Sequence, residues 1–113
     1  MAESCLFCRI ARGELPVPLL AESASCVAFR DISPQAPKHF LVVPREHFDS
    51  LNEISDLTLI GEMMIMARDV AAAEGINASG YRTVVNTNAD GGQSVSHVHV
   101  HVLGGRKMHW PPG

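Results

Sequence analysis

The chain has 113 residues, 46% of them apolar and 19% charged, which suits a single globular domain over 1–113 and excludes disordered, collagen-like and coiled-coil classes. A net charge of −3 offers no basic field for non-specific nucleic-acid binding. The apolar runs, residues 40–44 among them, are all far short of the roughly 20 residues a membrane helix needs, and the small, acidic residues 1–4 do not resemble a signal or transit peptide. The expectation is a soluble, cytoplasmic domain without a membrane or nucleic-acid partner.

Residues 5–11 have a short helical pattern, closed by the turn residues Gly13 and Pro16. Residues 17–20 and 26–29 read as short strands with a hairpin turn at Glu22 and Ser23. Residues 31–37, with two prolines and an Asp/Ser pair, form a loop. Residues 40–43 lack polar alternation and predict a strand buried on both faces, ended by Pro44. A long helix runs from Ser55 or Asp56 to Ala73, with Leu57, Ile60, Met64, Ala67 and Ala71 as its buried stripe, the methionines as core filling, and Gly75 as its C-terminal cap. Residues 81–86 are β-rich, residues 90–94 form a glycine loop, and residues 97–103 alternate as a strand ended by Gly104 and Gly105. The tail, 106–113, runs extended along a surface. Strands outnumber helices without βαβ alternation, so the fold class is α+β: an antiparallel sheet of about five strands with one long and one short helix.

Six histidines and three cysteines carry the chemistry. In His97-Val98-His99-Val100-His101-Val102 the side chains at i, i+2 and i+4 share one strand face, their Cβ atoms roughly 6–7 Å apart in succession. The valines fill the opposite face. Three protonated rings on one face repel, so some are held neutral. Three readings fit: a solvated polar face, a three-histidine metal site, or histidine as nucleophile with its neighbours orienting it. The loop Asp90-Gly91-Gly92-Gln93-Ser94 favours the third. Its backbone N–H groups can form an anion-binding concavity beside the nucleophile, and no G-x-S-x-G or Walker loop competes.

The other cluster is Cys5-Leu6-Phe7-Cys8. An odd number of cysteines without a secretion signal argues against a disulfide framework. C-x₂-C spacing suits two thiolates on one tetrahedral zinc, with two further ligands from elsewhere. The redox alternative normally follows a strand, and no strand pattern is read before this pair. Cys26 reads as a small buried apolar residue, and His109 as a surface residue of the tail.

The run His97-Val98-His99-Val100-His101-Val102-Leu103 resembles the His-φ-His-φ-His-φ-φ signature of the histidine triad superfamily of nucleotide hydrolases and transferases. Phe29-Arg30-Asp31-Ile32-Ser33-Pro34-Gln35-Ala36-Pro37, Gly91-Gly92-Gln93-Ser94-Val95 and His109-Trp110-Pro111-Pro112-Gly113 look like its Hint branch, the purine nucleoside phosphoramidases. The resemblance implies a histidine triad fold and a homodimer whose two sheets continue across the interface. It makes His99 the nucleophile on the α-phosphorus of a purine nucleotide derivative, through a nucleotidyl-histidine intermediate. It makes His101 a phosphate contact and Ser94 a hydroxyl near the leaving group. Asn86, Gly92 and Gln93 match phosphate and ribose contacts; Asp31 and Ile32 match the ribose and base pocket, although Asp31 alone would read as a turn initiator. Arg30 departs from the histidine that some relatives carry beside the base, and Ser96 from a frequent aromatic. Trp110 matches a tail residue that reaches the partner's site, or else packs on a neighbouring surface. In a zinc-binding subset of the superfamily, the structural ion is held at the positions of Cys5, Cys8, His47 and His97, with His39 competing for the place of His47; no organic cofactor is implied. The alternatives are a dinucleoside polyphosphate hydrolase of the sister branch, which lacks the Trp-Pro-Pro ending, and a nucleotide-binding interaction module with little catalysis.

Overall fold

A computed structural model describes residues 4–113. Two helices, α1 (Leu6–Ala11) and α2 (Leu57–Ala73), accompany five strands: β1 (Leu19–Glu22), β2 (Cys26–Arg30), β3 (Lys38–Pro44), β4 (Tyr81–Val84) and β5 (Val100–Gly104). They form one sheet in the order β1-β2-β3-β5-β4, antiparallel at every pairing. The fold class is therefore the α+β arrangement that the pattern predicts. Among the described residues no helix is long and apolar enough to cross a membrane.

The period-2 geometry of the central strands builds a core on each side of the sheet. Cys26, Ala28, Phe40, Val42, Val98, Val100 and Val102 face α2, where they meet Leu59, Met63, Ala67, Val70 and Ala71. Val27, Phe29, Leu41 and Val43 face the other way, toward Phe7, Ile10 and Ala11 of α1. So β3 is buried on both faces, and β2 is as well. Cys26 is fully buried on the α2 side.

The ends of α2 follow local chemistry. Asp56 caps the N-terminus by accepting from the amides of Thr58 and Leu59, satisfying orphan donors of the first turn. At the other end Gly75 adopts φ +79°, and the amides of Gly75 and Ile76 return to the carbonyls of Ala72 and Ala71. That pair of bonds is a Schellman motif, in which glycine carries the left-handed residue. The buried stripe differs from the expected one: Leu57 is 84% exposed and Met64 39%, while Leu59, Met63 and Val70 turn inward with Ala67 and Ala71. Apolar residues surround most of this helix, so two stripes satisfy the same 3–4 spacing, and packing against the sheet selects between them. Of the three methionines of α2, Met63 fills the core and Met66 packs at its margin.

Prolines reset two strand boundaries. β1 begins at Leu19, after Pro18, and the turn falls at Ser23 to Ser25, where the Ser23 side chain accepts from the amides of Ser25 and Cys26. On β5, Val42 pairs with Val100, so the next position would face Val98 with Pro44, which has no N–H to give. The Val98 amide donates instead to the Phe48 carbonyl at 2.8 Å. The ladder therefore starts at Val100, and residues 97–99 lie outside it although the side-chain alternation persists. β4 likewise stops at Val84, two residues short of the expected end, where the chain departs toward the glycine loop.

Candidate active site and metal centre

With Val98, Val100 and Val102 committed to the α2 side, the three histidines of the segment fall on the α1 side. His99 lies 4.9 Å from His101 between ring centroids, and Phe7 of α1 stands edge-on to His99 at 5.2 Å and to His97 at 5.9 Å. His97 and His99 are buried, and His101 is half-buried.

The hydrogen-bond partners assign each ring its tautomer. His99 Nδ1 lies 2.8 Å from the His97 carbonyl. A carbonyl only accepts, so Nδ1 carries a proton, and in the neutral ring Nε2 is the nitrogen with the free lone pair. His101 is set the opposite way. The Gln35 amide donates to His39 Nδ1 at 3.0 Å, leaving His39 Nε2–H to donate to His101 Nδ1 at 2.9 Å. The His101 proton therefore sits on Nε2. Side by side stand a nucleophilic nitrogen and an N–H donor. Burial, then the neighbouring His99 and His39, hold His101 down to about 4, and burial also lowers His39 against the pull of Asp31. Both rings are thus neutral near pH 7.

His99 and His101 line a cavity of about 190 Å³ with Ser94, Val95, Asp31, Ile32 and an apolar wall that includes Phe7, Phe29 and Leu41. A groove of about 390 Å³ adjoins it, sharing Val17, Arg30, Asp31 and Ile32. Asp31 does two things at once. Its Oδ1 accepts from the Ser33 amide at 2.8 Å, the turn-initiating bond, while Oδ2 lies 3.5 Å from His39 Nε2. Arg30 pairs through both guanidinium nitrogens with Glu74, which fixes it at the mouth of the groove. Gly91 and Gly92 shape the loop: a Cβ on Gly91 would collide with the Thr87 backbone, and Gly92 adopts φ +75°. Asn86, Gly92 and Gln93 are not on the cavity wall. The Gln93 amide is engaged within the loop, donating to the carbonyls of Asp49 and Val95 and accepting from the Asn88 amide. Sequence reasoning missed the apolar wall, and it placed His39 only as a competing metal ligand, without the bond that orients His101.

A second cluster lies against the first. Cys5 caps α1, Cys8 follows one turn later, and both meet histidines from other elements. His97 Nδ1 is 3.3 Å from Cys5 Sγ and 3.4 Å from Cys8 Sγ, and His47 Nδ1 is 3.2 Å from Cys8 Sγ. The four ligand atoms all lie within 4.8 Å of one another. Zinc–sulfur bonds of about 2.3 Å and zinc–nitrogen bonds of about 2.0–2.1 Å at tetrahedral angles separate S and N by roughly 3.5 Å, so the donor set fits one ion. The tautomers fit too. His97 Nε2 donates to the Pro44 carbonyl at 2.9 Å and His47 Nε2 faces Asp49 Oδ1 at 2.8 Å, which leaves each Nδ1 lone pair aimed at the sulfurs. Burial holds His97 down to about 4, keeping that lone pair free. Burial, with Cys5 next in weight, pushes the Cys8 thiol up to about 11; a coordinated cation reverses that preference and deprotonates the thiol. His39 is not in this cluster. It groups with Asp31 and His101, where a 2.9 Å N···N separation matches a shared proton.

The HIT domain family model matches residues 12–108. The chain belongs to the HIT family. It is 44% identical to an uncharacterized HIT-like protein of Synechococcus elongatus, with all of both chains covered. A HIT family hydrolase from Legionella pneumophila superposes with a TM-score of 0.93 at 48% identity, over 97% of this chain and 100% of that one. A zinc-bound histidine triad family protein from Mycobacterium smegmatis superposes with a TM-score of 0.83 at 27% identity, over 95% of this chain and 78% of the other. The chain therefore carries a HIT hydrolase-type fold, and HIT proteins generally bind nucleotides.

Proposed function

We propose that this HIT protein is a purine nucleoside phosphoramidase of the Hint branch. It hydrolyses the P–N bond of nucleoside 5′-phosphoramidates, of the adenosine phosphoramidate or AMP-lysine type, to a nucleoside monophosphate and an amine. The observation that carries this reading is the opposed pair of tautomers, a lone pair on His99 Nε2 beside an N–H on His101. Acyl or phosphoryl transfer through histidine needs both: a neutral nucleophile, and a donor for charge that grows on oxygen.

In the first half-reaction His99 Nε2 attacks the α-phosphorus and the P–N bond to the leaving amine breaks. The amine departs with a proton that solvent supplies through the Ser94 hydroxyl, which lines the cavity, and the proton that water gives up in the second half-reaction returns to solvent. His101 Nε2–H donates to a non-bridging oxygen as its charge develops. Water then attacks phosphorus, the bond to His99 breaks, and the nucleoside monophosphate is released. The Asp31 carboxylate accepts from the ribose hydroxyls, the base lies beside Ile32 in the groove, and Gly92 and Gln93 of the glycine loop, with Asn86 ahead of it, shape the phosphate site.

Cys5, Cys8, His47 and His97 hold a structural zinc in this reading, supported by their donor geometry and by the zinc-bound M. smegmatis relative. Four protein ligands close the site, so the ion supplies folding energy and not an open coordination position. A cytoplasmic setting keeps both thiols reduced for it. Two copies pair through the outer edge of β4, which ends the sheet order, with the exposed Trp110 near the partner. The direct test is turnover of adenosine 5′-phosphoramidate: His99→Ala lowers kcat on the order of 10³-fold or more, whereas wild-type rates in that variant would contradict the assignment.

A further inference from the structure

One chain of hydrogen bonds runs from the cysteine–histidine cluster to the glycine loop. His47 turns Nδ1 to Cys8 and Nε2–H to Asp49 Oδ1 at 2.8 Å. The Asp49 amide is itself held by Glu53 Oε1 at 2.9 Å. The Asp49 carbonyl accepts from Gln93 Nε2, whose second hydrogen goes to the Val95 carbonyl at 2.9 Å. Gln93 Oε1 accepts from the Asn88 amide at 2.9 Å, and the Gln93 amide returns to the Asn88 carbonyl at 3.1 Å. That reciprocal pair closes the loop over Gly91 and Gly92. Ser94, the next residue, is on the wall of the cavity that holds His99 and His101.

We infer that Gln93 is a positioning residue that couples occupancy of the Cys5–Cys8–His47–His97 centre to the shape of the phosphate loop, so that metal and nucleotide each tighten the other. The inference rests on the nucleotide reading of the cavity and on the metal reading of the cluster. Its physical basis is local. Residues 45–50 form no helix or strand, so the Asp49 carbonyl has no ladder to fix it. A ligand on His47 Nδ1 fixes the ring and strengthens its Nε2–H bond to Asp49, as outer-shell carboxylates do around metal-bound histidine. The backbone carbonyl of the same residue is then held where Gln93 needs it. A glutamine engaged at both ends of its amide transmits that position to Asn88 and Ser94. Coupling of this kind is reciprocal by thermodynamic necessity.

The experiment uses the full chain, zinc-loaded and zinc-stripped. In the wild type, AMP binds about 5-fold or more tighter to the zinc-loaded form, a coupling at the low end of the usual range, and AMP tightens zinc by the same factor in competition with a chelator. Hydrogen exchange of the Asn88 amide slows on adding zinc. Asp49→Asn weakens zinc retention by roughly 10–100-fold. Gln93→Leu removes every bond of the side chain and brings the AMP ratio near one. Gln93→Glu keeps the acceptor for Asn88 but has no donor for the Asp49 carbonyl, so it loses the coupling while retaining the loop closure. A purely structural glutamine would not separate these two effects. An unchanged AMP ratio in Gln93→Glu, or Asn88 exchange indifferent to zinc in the wild type, would overturn the proposal, as would a wild type that takes up no zinc. AMP failing to bind the wild type would remove the nucleotide reading alone, and zinc-dependent protection of Asn88 would still support the link.

Discussion

His101 owes its tautomer to His39. A surface imidazole exchanges its proton between two nitrogens, but the Gln35 amide on His39 Nδ1 and the His39–His101 bond remove that freedom. Neutrality at this pair has a consequence for stability. Both rings are held below the ordinary histidine value near 6.5, His101 down to about 4. Between those values the unfolded chain takes up protons that the native chain refuses, so stability is full above about pH 6.5 and falls as pH drops toward 4. The urea midpoint of the wild type therefore declines from pH 7.5 to 5, and His101→Gln has a shallower decline. Identical slopes in the two proteins would count against this account. Sequence alternation put His99 and His101 on one face, but nothing in it showed that His39, 62 positions away, supplies the orienting bond; a pairing across β3 and β5 is a tertiary fact.

The elements show where local rules were sufficient and where they were not. Asp56 and Gly75 marked the ends of α2 because caps are set by a few neighbouring residues. Removing the cap with Asp56→Ala costs about 1 kcal/mol in unfolding free energy, read from the shift in denaturation midpoint; no shift would mean that tertiary packing alone holds the first turn. The stripe of α2 was not legible, since Leu57, Ile60 and Met64 and also Leu59, Met63 and Ala67 recur at helical intervals of three or four residues, and only the sheet decides between them. The lower end of β5 was also concealed. Pro44 blocks the ladder opposite Val98, and this releases residues 97–99 to place the His97 ring under Pro44 and among the cysteines. The C-x₂-C pair was readable as two ligands; the choice of His47 over His39 rested on family resemblance, and the geometry groups His47 with the cysteines.

At the scale of the whole molecule, the sheet separates two jobs. Its α2 side is an apolar core, and its α1 side carries both histidine clusters. Helix α1 has six residues, too few to be stable alone, and the proposed zinc pins it to the base of β5. Stripping zinc, or substituting Cys8→Ser, therefore lowers the thermal midpoint by several degrees or more; an unchanged midpoint after verified zinc removal would show that α1 needs no ion. The claim on which the functional account rests is that His99 becomes bonded to phosphorus during turnover. Rapid quench of the wild type with radiolabelled adenosine 5′-phosphoramidate, followed by peptide mapping, measures this directly. The account predicts a nucleotidyl adduct on His99 that forms and decays at rates consistent with steady-state turnover; steady product release with no label on that ring would contradict it.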